Sequence, residues 1–436
     1  MPNTAFSLNR PVTQIDERRP SPPPSSLPMP PSLRIAVVTE TYPPEVNGVA
    51  MTIARFVDGL RQRQHDVQLV RPRQHANEVP QSSNRFNEVL VRGLPIPRYS
   101  HLKMGLPATR ALYKLWTQHR PDLVHLVTEG PLGWSALRAA RQLNLPVSSD
   151  FRTNFHAYSA HYGLGWLRTP IVGYLRNFHN RTSLTMVPTE GMRRDLGAQG
   201  FLNLKVVARG VDTALFTPGR RSEDLRRTWG AGPQATVSLY VGRLASEKNL
   251  ATLVAAYRAM NQVRPDCLLV VVGDGPARAD LERLCPQAVF TGLRSGVDLA
   301  EHYASADVFL FPSITETFGN VTPEAMASGL VVLAYDYAAA AQLIRSGENG
   351  LLAPFDDRPA FVRLAAQLVA GQGVDRVMRQ AARQTATEMG WDGVVAQLES
   401  ALVQTARAGA SLAHASVPDE LASSSSAEFI APRFGS

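Results

Sequence analysis

Apolar positions along this chain fall into two kinds of run that take turns. Short blocks such as Leu33-Arg34-Ile35-Ala36-Val37-Val38-Thr39, Asp66-Val67-Gln68-Leu69-Val70, Leu123-Val124-His125-Leu126 and Pro146-Val147-Ser148-Ser149 are rich in β-branched residues and too short for helices. They predict buried strands. Between them the spacing changes to a helical one: Ile53, Phe56, Val57 and Leu60 share one face of a helix opening at Gly48. A second set of strands begins near Thr236 and includes Leu268-Leu269-Val270-Val271-Val272, Val308-Phe309-Leu310 and Val331-Val332-Leu333-Ala334. Strands that are apolar on both faces, alternating with amphipathic helices, predict parallel sheets covered by helices: an α/β protein.

The alternation breaks around Gly210-Val211-Asp212 and Pro218-Gly219. This divides the chain into a Pro-rich tail (1–32), an N-terminal domain (33–212), a C-terminal domain (213–390), a final helix (391–410) and a second tail (411–436). At 436 residues the chain exceeds one ordinary core, which agrees with two Rossmann-like domains facing across a cleft. The 44% hydrophobic and 19% charged fractions are those of a globular protein. Cys267 and Cys285 are the only cysteines, so no disulfide framework is expected and a reducing compartment is. The N-terminal tail, with Pro20-Ser21-Pro22-Pro23-Pro24, lacks the apolar centre of a signal peptide, and both tails are expected to be disordered. No apolar run approaches the roughly 18 residues of a membrane span.

Candidate chemistry concentrates in two places. In Thr315-Glu316-Thr317-Phe318-Gly319-Asn320-Val321-Thr322-Pro323-Glu324, two carboxylates stand eight positions apart around a Gly turn, just after the strand Asp307–Phe311. Thr322 reads as a helix N-cap with Pro323 in the first helical position, so the helix start offers free N–H groups to an anion. In Val237-Ser238-Leu239-Tyr240-Val241-Gly242-Arg243-Leu244-Ala245-Ser246-Glu247-Lys248, a strand and Gly turn precede two cations five residues apart. An Arg fork and a Lys point charge suit phosphate oxygens. Each feature alone reads equally as a solvated loop. Together they favour a nucleotide-sugar, which presents diphosphate and hydroxyls side by side.

From about Arg34 to about Trp391 the chain resembles retaining glycosyltransferases of the GT-B type in sequence family 4, with its Glu–seven residues–Glu and Gly-Arg…Lys motifs. The resemblance implies that Arg243 and Lys248 neutralise the leaving diphosphate, that Glu316 holds donor-sugar hydroxyls and Glu324 the ribose, and that the Phe318-Gly319-Asn320-Val321 backbone lines the donor. It implies that Gly48 brings a backbone N–H to the phosphate, although Asn47 stands where relatives often have a second Gly. It also implies that the helix from Trp391 packs back on the first domain. Many relatives carry a His in the stretch Asp150-Phe151-Arg152-Thr153-Asn154-Phe155-His156 where this chain has Arg152. Arg152 can contact an acidic sugar, a phosphate or an acceptor headgroup, or be a structural ion-pair residue; His156 can replace the missing His or be structural. The mechanism implied is front-face attack with the donor phosphate taking the acceptor proton, not a hydrolase-like carboxylate pair.

Other nucleotide signals fail. Gly273-Asp274-Gly275 lacks a third Gly, no Walker-type loop occurs, and no Asp-x-Asp pair is present to hold a divalent ion, so neither metal nor cofactor is expected. The net charge is +8 and the pI about 9.7. Between Arg98 and Arg120 there is no acidic residue, and Arg98, Lys103, Arg110 and Lys114 alternate with apolar positions including Trp116; Gly163 to Arg181, with Trp166, is similar. Such faces suit docking on anionic lipid or, equally, a core-facing helix with a basic solvent side. The favoured reading is a cytoplasmic enzyme, peripheral on the inner membrane face, moving a hexose from GDP-mannose or a UDP-hexose to a diacylglycerol-type lipid. The alternatives are the same chemistry on a soluble sugar or polysaccharide, and, remotely, a non-enzymatic nucleic-acid binder, which lacks any recognisable binding module.

Overall fold

The computed structural model describes residues 32–45, 47–96, 99–152, 168–370 and 374–415. Val46, Arg98, His156 and Trp166 lie outside them, as do both tails for most of their length.

Two separate sheets carry the fold. The first has eight strands in the order Leu204–Val206, Leu184–Val187, Val147–Asp150, Leu123–Leu126, Arg34–Val38, Asp66–Pro72, Phe86–Val91, Ser82–Ser83. All are parallel but the last, which pairs antiparallel with Phe86–Val91. The second has six parallel strands ordered Val289–Gly292, Leu268–Val272, Val237–Val241, Val308–Phe311, Val331–Tyr335, Leu351–Ala353. In each, the chain starts mid-sheet, builds outward, then crosses back to build the other way. That reversal leaves a crevice at the carboxyl ends of the two central strands. The crevice lies between Arg34–Val38 and Leu123–Leu126 in the first sheet, and between Val237–Val241 and Val308–Phe311 in the second.

Each central strand is buried along nearly its whole length, as expected where helices cover both faces. The C-terminal domain gathers its strands and helices into one apolar cluster running from Ala208 to Ala386. The N-terminal sheet has a cluster on either face. One includes Ile53, Phe56 and Leu60 together with Val394, Val395, Leu398 and Leu402, so the C-terminal helix Trp391–Ala415 closes the N-terminal domain's core. Trp391 meets Phe56 edge-on at 6.1 Å. This helix continues to Ala415, past the Ser411 at which the second tail is expected to begin.

Two expectations about local structure change. The stretch before the basic helix forms an antiparallel hairpin, Gly93–Ile96 with Tyr99–Gly105. The helix itself spans Thr109–Gln118 and turns its apolar stripe inward. Trp116, expected on a membrane-facing surface, is fully buried and donates its Nε1–H to Gln68 Oε1 at 2.8 Å. An indole buried with its N–H satisfied is core. Arg110 and Lys114 remain exposed on the opposite side, and Lys103 is half-buried on the hairpin.

Candidate functional site

The two motif loops are built from backbone necessity first. After Phe311 the chain must leave the sheet and turn into a helix within a few residues. Gly319 makes that turn at φ +89°, a left-handed conformation that disfavours any side chain. The helix is Val321–Ala327, with Asn320 as N-cap in helical conformation and no side-chain cap bond. It therefore begins two residues earlier than the Thr322-Pro323 signal indicates. Thr322 instead donates its backbone N–H to Gly319 O, and Pro323 is the third helical residue, still within the first turn whose N–H groups have no partner inside the helix. The opposing loop runs from Gly242 through a short 3-10 turn, Ser246–Lys248, to Asn249 in the left-handed region. Thr315 Oγ1 donates to Glu247 O at 3.1 Å, so the two motif loops are tied together directly.

That tie brings the key charges into register. Lys248 Nζ reaches Glu316 Oε1 at 2.5 Å, and Ser313 Oγ donates to the same oxygen at 2.7 Å. Both partners of the ion pair are largely buried, so it is screened far less than a surface pair. Arg243 lies further out, its side chain 49% exposed and 3.7 Å from Glu247. Glu324 accepts from Tyr303 Oη at 3.1 Å. Burial raises its pKa to about 7, against the opposing pull of that hydrogen bond. Glu316 and Thr317 also wall a cleft of about 430 Å³, whose other side comes from Thr189, Glu190 and Arg194 of the N-terminal domain. The site thus spans both domains.

Glu324 gives a stability prediction. Its carboxyl has a higher pKa folded than in its ordinary state at 4.5, so the folded chain holds more protons between those values. Its stabilising contribution is intact below about 4.5 and is lost as pH rises to and through about 7. Glu324→Gln removes this loss, so the variant is more stable than wild type at pH 8 by at most about 3 kcal/mol, the side chain being only partly sheltered. At pH 4.5 the two converge. Denaturant melts at both pH values check this; equal stability at pH 8 would contradict it.

From the N-terminal domain, Gly48 opens the helix Gly48–Gln62, and Asn47 caps it. Asn47 Oδ1 accepts from the N–H groups of Val49 and Ala50 at 3.1 and 2.8 Å, which explains an Asn in this place. An anion approaching the helix start addresses Gly48 rather than those two amides. A Cβ at Gly48 would stand 3.1 Å from Arg209 Nη1 and 3.8 Å from Asn320 Nδ2.

Arg152 is buried, its Nε and Nη2 on Asp150 at 2.7 and 3.3 Å, and its guanidinium lies over the Phe56 ring. Burial alone would raise the Asp150 pKa, but Arg152 and His125 hold it well below the usual carboxylate range. The ion-pair alternative for Arg152 is therefore realised in the geometry. Two further ionisable groups were passed over in the sequence. Glu40, just past the first central strand, accepts from Leu132 N–H at 3.0 Å, and burial, with Glu129 adding to it, raises its pKa to about 7. Arg209 stands immediately before Gly210-Val211-Asp212, where the sequence indicates a domain break. Glu40 had one legible signal, a carboxylate directly after an apolar strand; Arg209 had none.

Known proteins agree with this architecture. The glycosyltransferase family 4 model matches residues 46–215, and the model of glycosyl transferases group 1 matches residues 235–371. A GDP-mannose-dependent alpha-mannosyltransferase of Mycolicibacterium smegmatis is 36% identical over 328 residues, 74% of this chain and 85% of that protein. The chain belongs to glycosyltransferase family 4. An alpha-monoglucosyldiacylglycerol synthase of Streptococcus pneumoniae is 28% identical to this glycosyltransferase over 70% of its chain and 71% of that protein. The sucrose-phosphate synthase of Thermosynechococcus elongatus shares its GT-B fold, with a TM-score of 0.72 at 20% identity over 86% of this chain and all of that one. The family 4 chain is accordingly a hexosyltransferase with two Rossmann-like domains. Among the described residues, no helix is long and apolar enough to cross a membrane.

Proposed function

We propose that this chain transfers mannose from GDP-mannose, with retention, to a diacylglycerol-type glycolipid at an anionic membrane surface. The observation carrying the chemistry is the Lys248–Glu316 pair on two tied loops at the mouth of the interdomain cleft. A cation beside a carboxylate addresses a leaving phosphate and a sugar hydroxyl in adjacent positions. In this reading Arg243 and Lys248 meet the diphosphate where charge develops, Glu316 accepts from donor-sugar hydroxyls, and Glu324 accepts from the ribose. The backbone from Phe318 to Val321 lines the donor, and Gly48 approaches it from the other domain. The departing phosphate then takes the acceptor proton on the same face.

The relatives' names support donor and acceptor class: one is a GDP-mannose-dependent enzyme, another a diacylglycerol glycoside synthase. The surface supports lipid docking. Exposed Arg110 and Lys114 flank one helix, and Arg138, Arg141 and Arg181 surround Trp134 on the next, with Tyr174 exposed beside them. In this reading the enzyme is a peripheral protein on the cytoplasmic face of the membrane.

The test uses purified protein, EDTA, a panel of GDP- and UDP-sugars, and vesicles containing diacylglycerol and its glycosides, with products followed by mass spectrometry. A mannolipid formed from GDP-mannose alone is expected. Neutralising Arg110, Lys114 and Arg138 to Gln should lower binding to anionic vesicles by about 100-fold, at about 1 kcal/mol per basic residue. Transfer only to soluble sugars, with vesicle binding unchanged in that variant, would replace the lipid acceptor with a soluble one.

A further inference from the structure

Arg209 follows Leu204–Val206, the last strand of the N-terminal sheet, and 5% of its surface is exposed. Among the described residues its guanidinium makes one hydrogen bond, Nη1 to Asn320 Oδ1 at 3.3 Å, and Nε has no partner. Asp150 and Glu316 attract this charge from nearby, but among the described residues neither hydrogen-bonds to it. Arg152 opposes that charge: it too is buried, it takes both oxygens of Asp150, and its Nη1 has no partner. Burial first, then the charge of Arg152, pushes the Arg209 pKa down to about 9 against the opposing pull of Asp150 and Glu316.

A buried guanidinium with an unmet donor is costly, and an anionic ligand can satisfy it. Three groups converge here: Arg209, the side chain of Asn320, and the start of the fifteen-residue helix at Gly48, all within 4 Å of the place a Gly48 side chain would fill. A helix N-terminus and a buried guanidinium whose Nε has no partner both select an anion, and Asn320 belongs to the same loop as Glu316. We propose that Arg209 is a phosphate-binding residue of the donor site, taking the sugar-linked phosphate of a nucleoside diphosphate from the N-terminal domain's side. Arg243 and Lys248 hold the diphosphate from the C-terminal domain. The third cation couples donor binding to the apposition of the two domains, because its partners lie on both. This rests on the donor reading of the cleft given above.

The experiment is calorimetric titration of the full chain with GDP, GMP, UDP and UMP, for wild type and Arg209→Gln. Arg209→Gln is expected to lose affinity for the diphosphate by about 10- to 100-fold, the range for one charge-assisted contact, while the monophosphate binds as in wild type. A merely structural role would weaken both nucleotides alike, and that outcome overturns the assignment. So does unchanged diphosphate affinity, or an effect seen only in the acceptor KM, which would move the anion seat to the acceptor. If Arg209→Gln does not fold, Arg209→Lys keeps the charge but loses the planar fork, and the same selective loss is required of it. Wild-type protein that binds neither diphosphate refutes the donor reading itself, a result distinct from any behaviour of the variants.

Discussion

Lys248→Ala and Arg243→Ala are each expected to lower kcat/KM by about 100- to 1,000-fold, the usual consequence of removing one preorganised charge from a developing anion. The two variants should part company in stability. Arg243 is half exposed and its neighbour Glu247 lies 3.7 Å away, so its removal leaves the melting behaviour within about 0.5 kcal/mol of wild type. Lys248 is largely buried against Glu316, and its loss leaves that carboxylate with Ser313 alone among its described hydrogen-bond donors. Lys248→Ala should therefore be measurably less stable as well as slower. Initial rates with the best donor of the panel, together with denaturant melts, decide both points. Near-normal turnover in both variants would remove the phosphate assignment altogether.

Glu316→Gln is expected to lower kcat/KM by about 100-fold while the fold stays intact. The amide keeps the shape of the carboxylate but cannot accept from Lys248 and Ser313 and also from sugar hydroxyls with two charged oxygens. Lys248 and Glu316 touch, so their effects should not add. The Lys248→Ala/Glu316→Gln double variant should lose less than the two single losses combined, by about 0.5–3 kcal/mol in transition-state stabilisation. Strict additivity would mean that the pair acts as two independent groups, contrary to the 2.5 Å contact.

Particular residues show where reading the chain works. The strands were legible because all-apolar runs such as Val308-Phe309-Leu310 fit only a sheet covered on both faces, and that is where they lie. The Arg243, Lys248, Glu316 cluster was legible as a motif, since each residue stands at a fixed offset from a strand end. Trp116 was misread because an amphipathic helix has the same periodicity whether its apolar face meets lipid or a neighbouring helix. The helix start at Val321 was displaced because Gly319 and the tie between Thr315 and Glu247 set the turn, overriding the Thr-Pro signal. Arg152 stood among open alternatives until Asp150, two residues away, was seen to turn its carboxylate back on it.

Local order in the chain was enough to specify the α/β class, the two-sheet organisation and the two motif loops. These depend on short-range periodicity and on backbone freedom at a few turns. What folding alone decided is everything that needs two distant segments at once. The order of strands in each sheet brings the motif loops to the reversal point, and the helix from Trp391 completes the core of the domain that starts the chain. The same is true of Arg209, whose charge is unremarkable in sequence. It gains meaning because Gly48, Asn320 and Arg152 arrive beside it from separate parts of the chain and exclude water. Burial and charge balance belong to the assembled structure, because a single residue's dielectric surroundings are made by its neighbours in space.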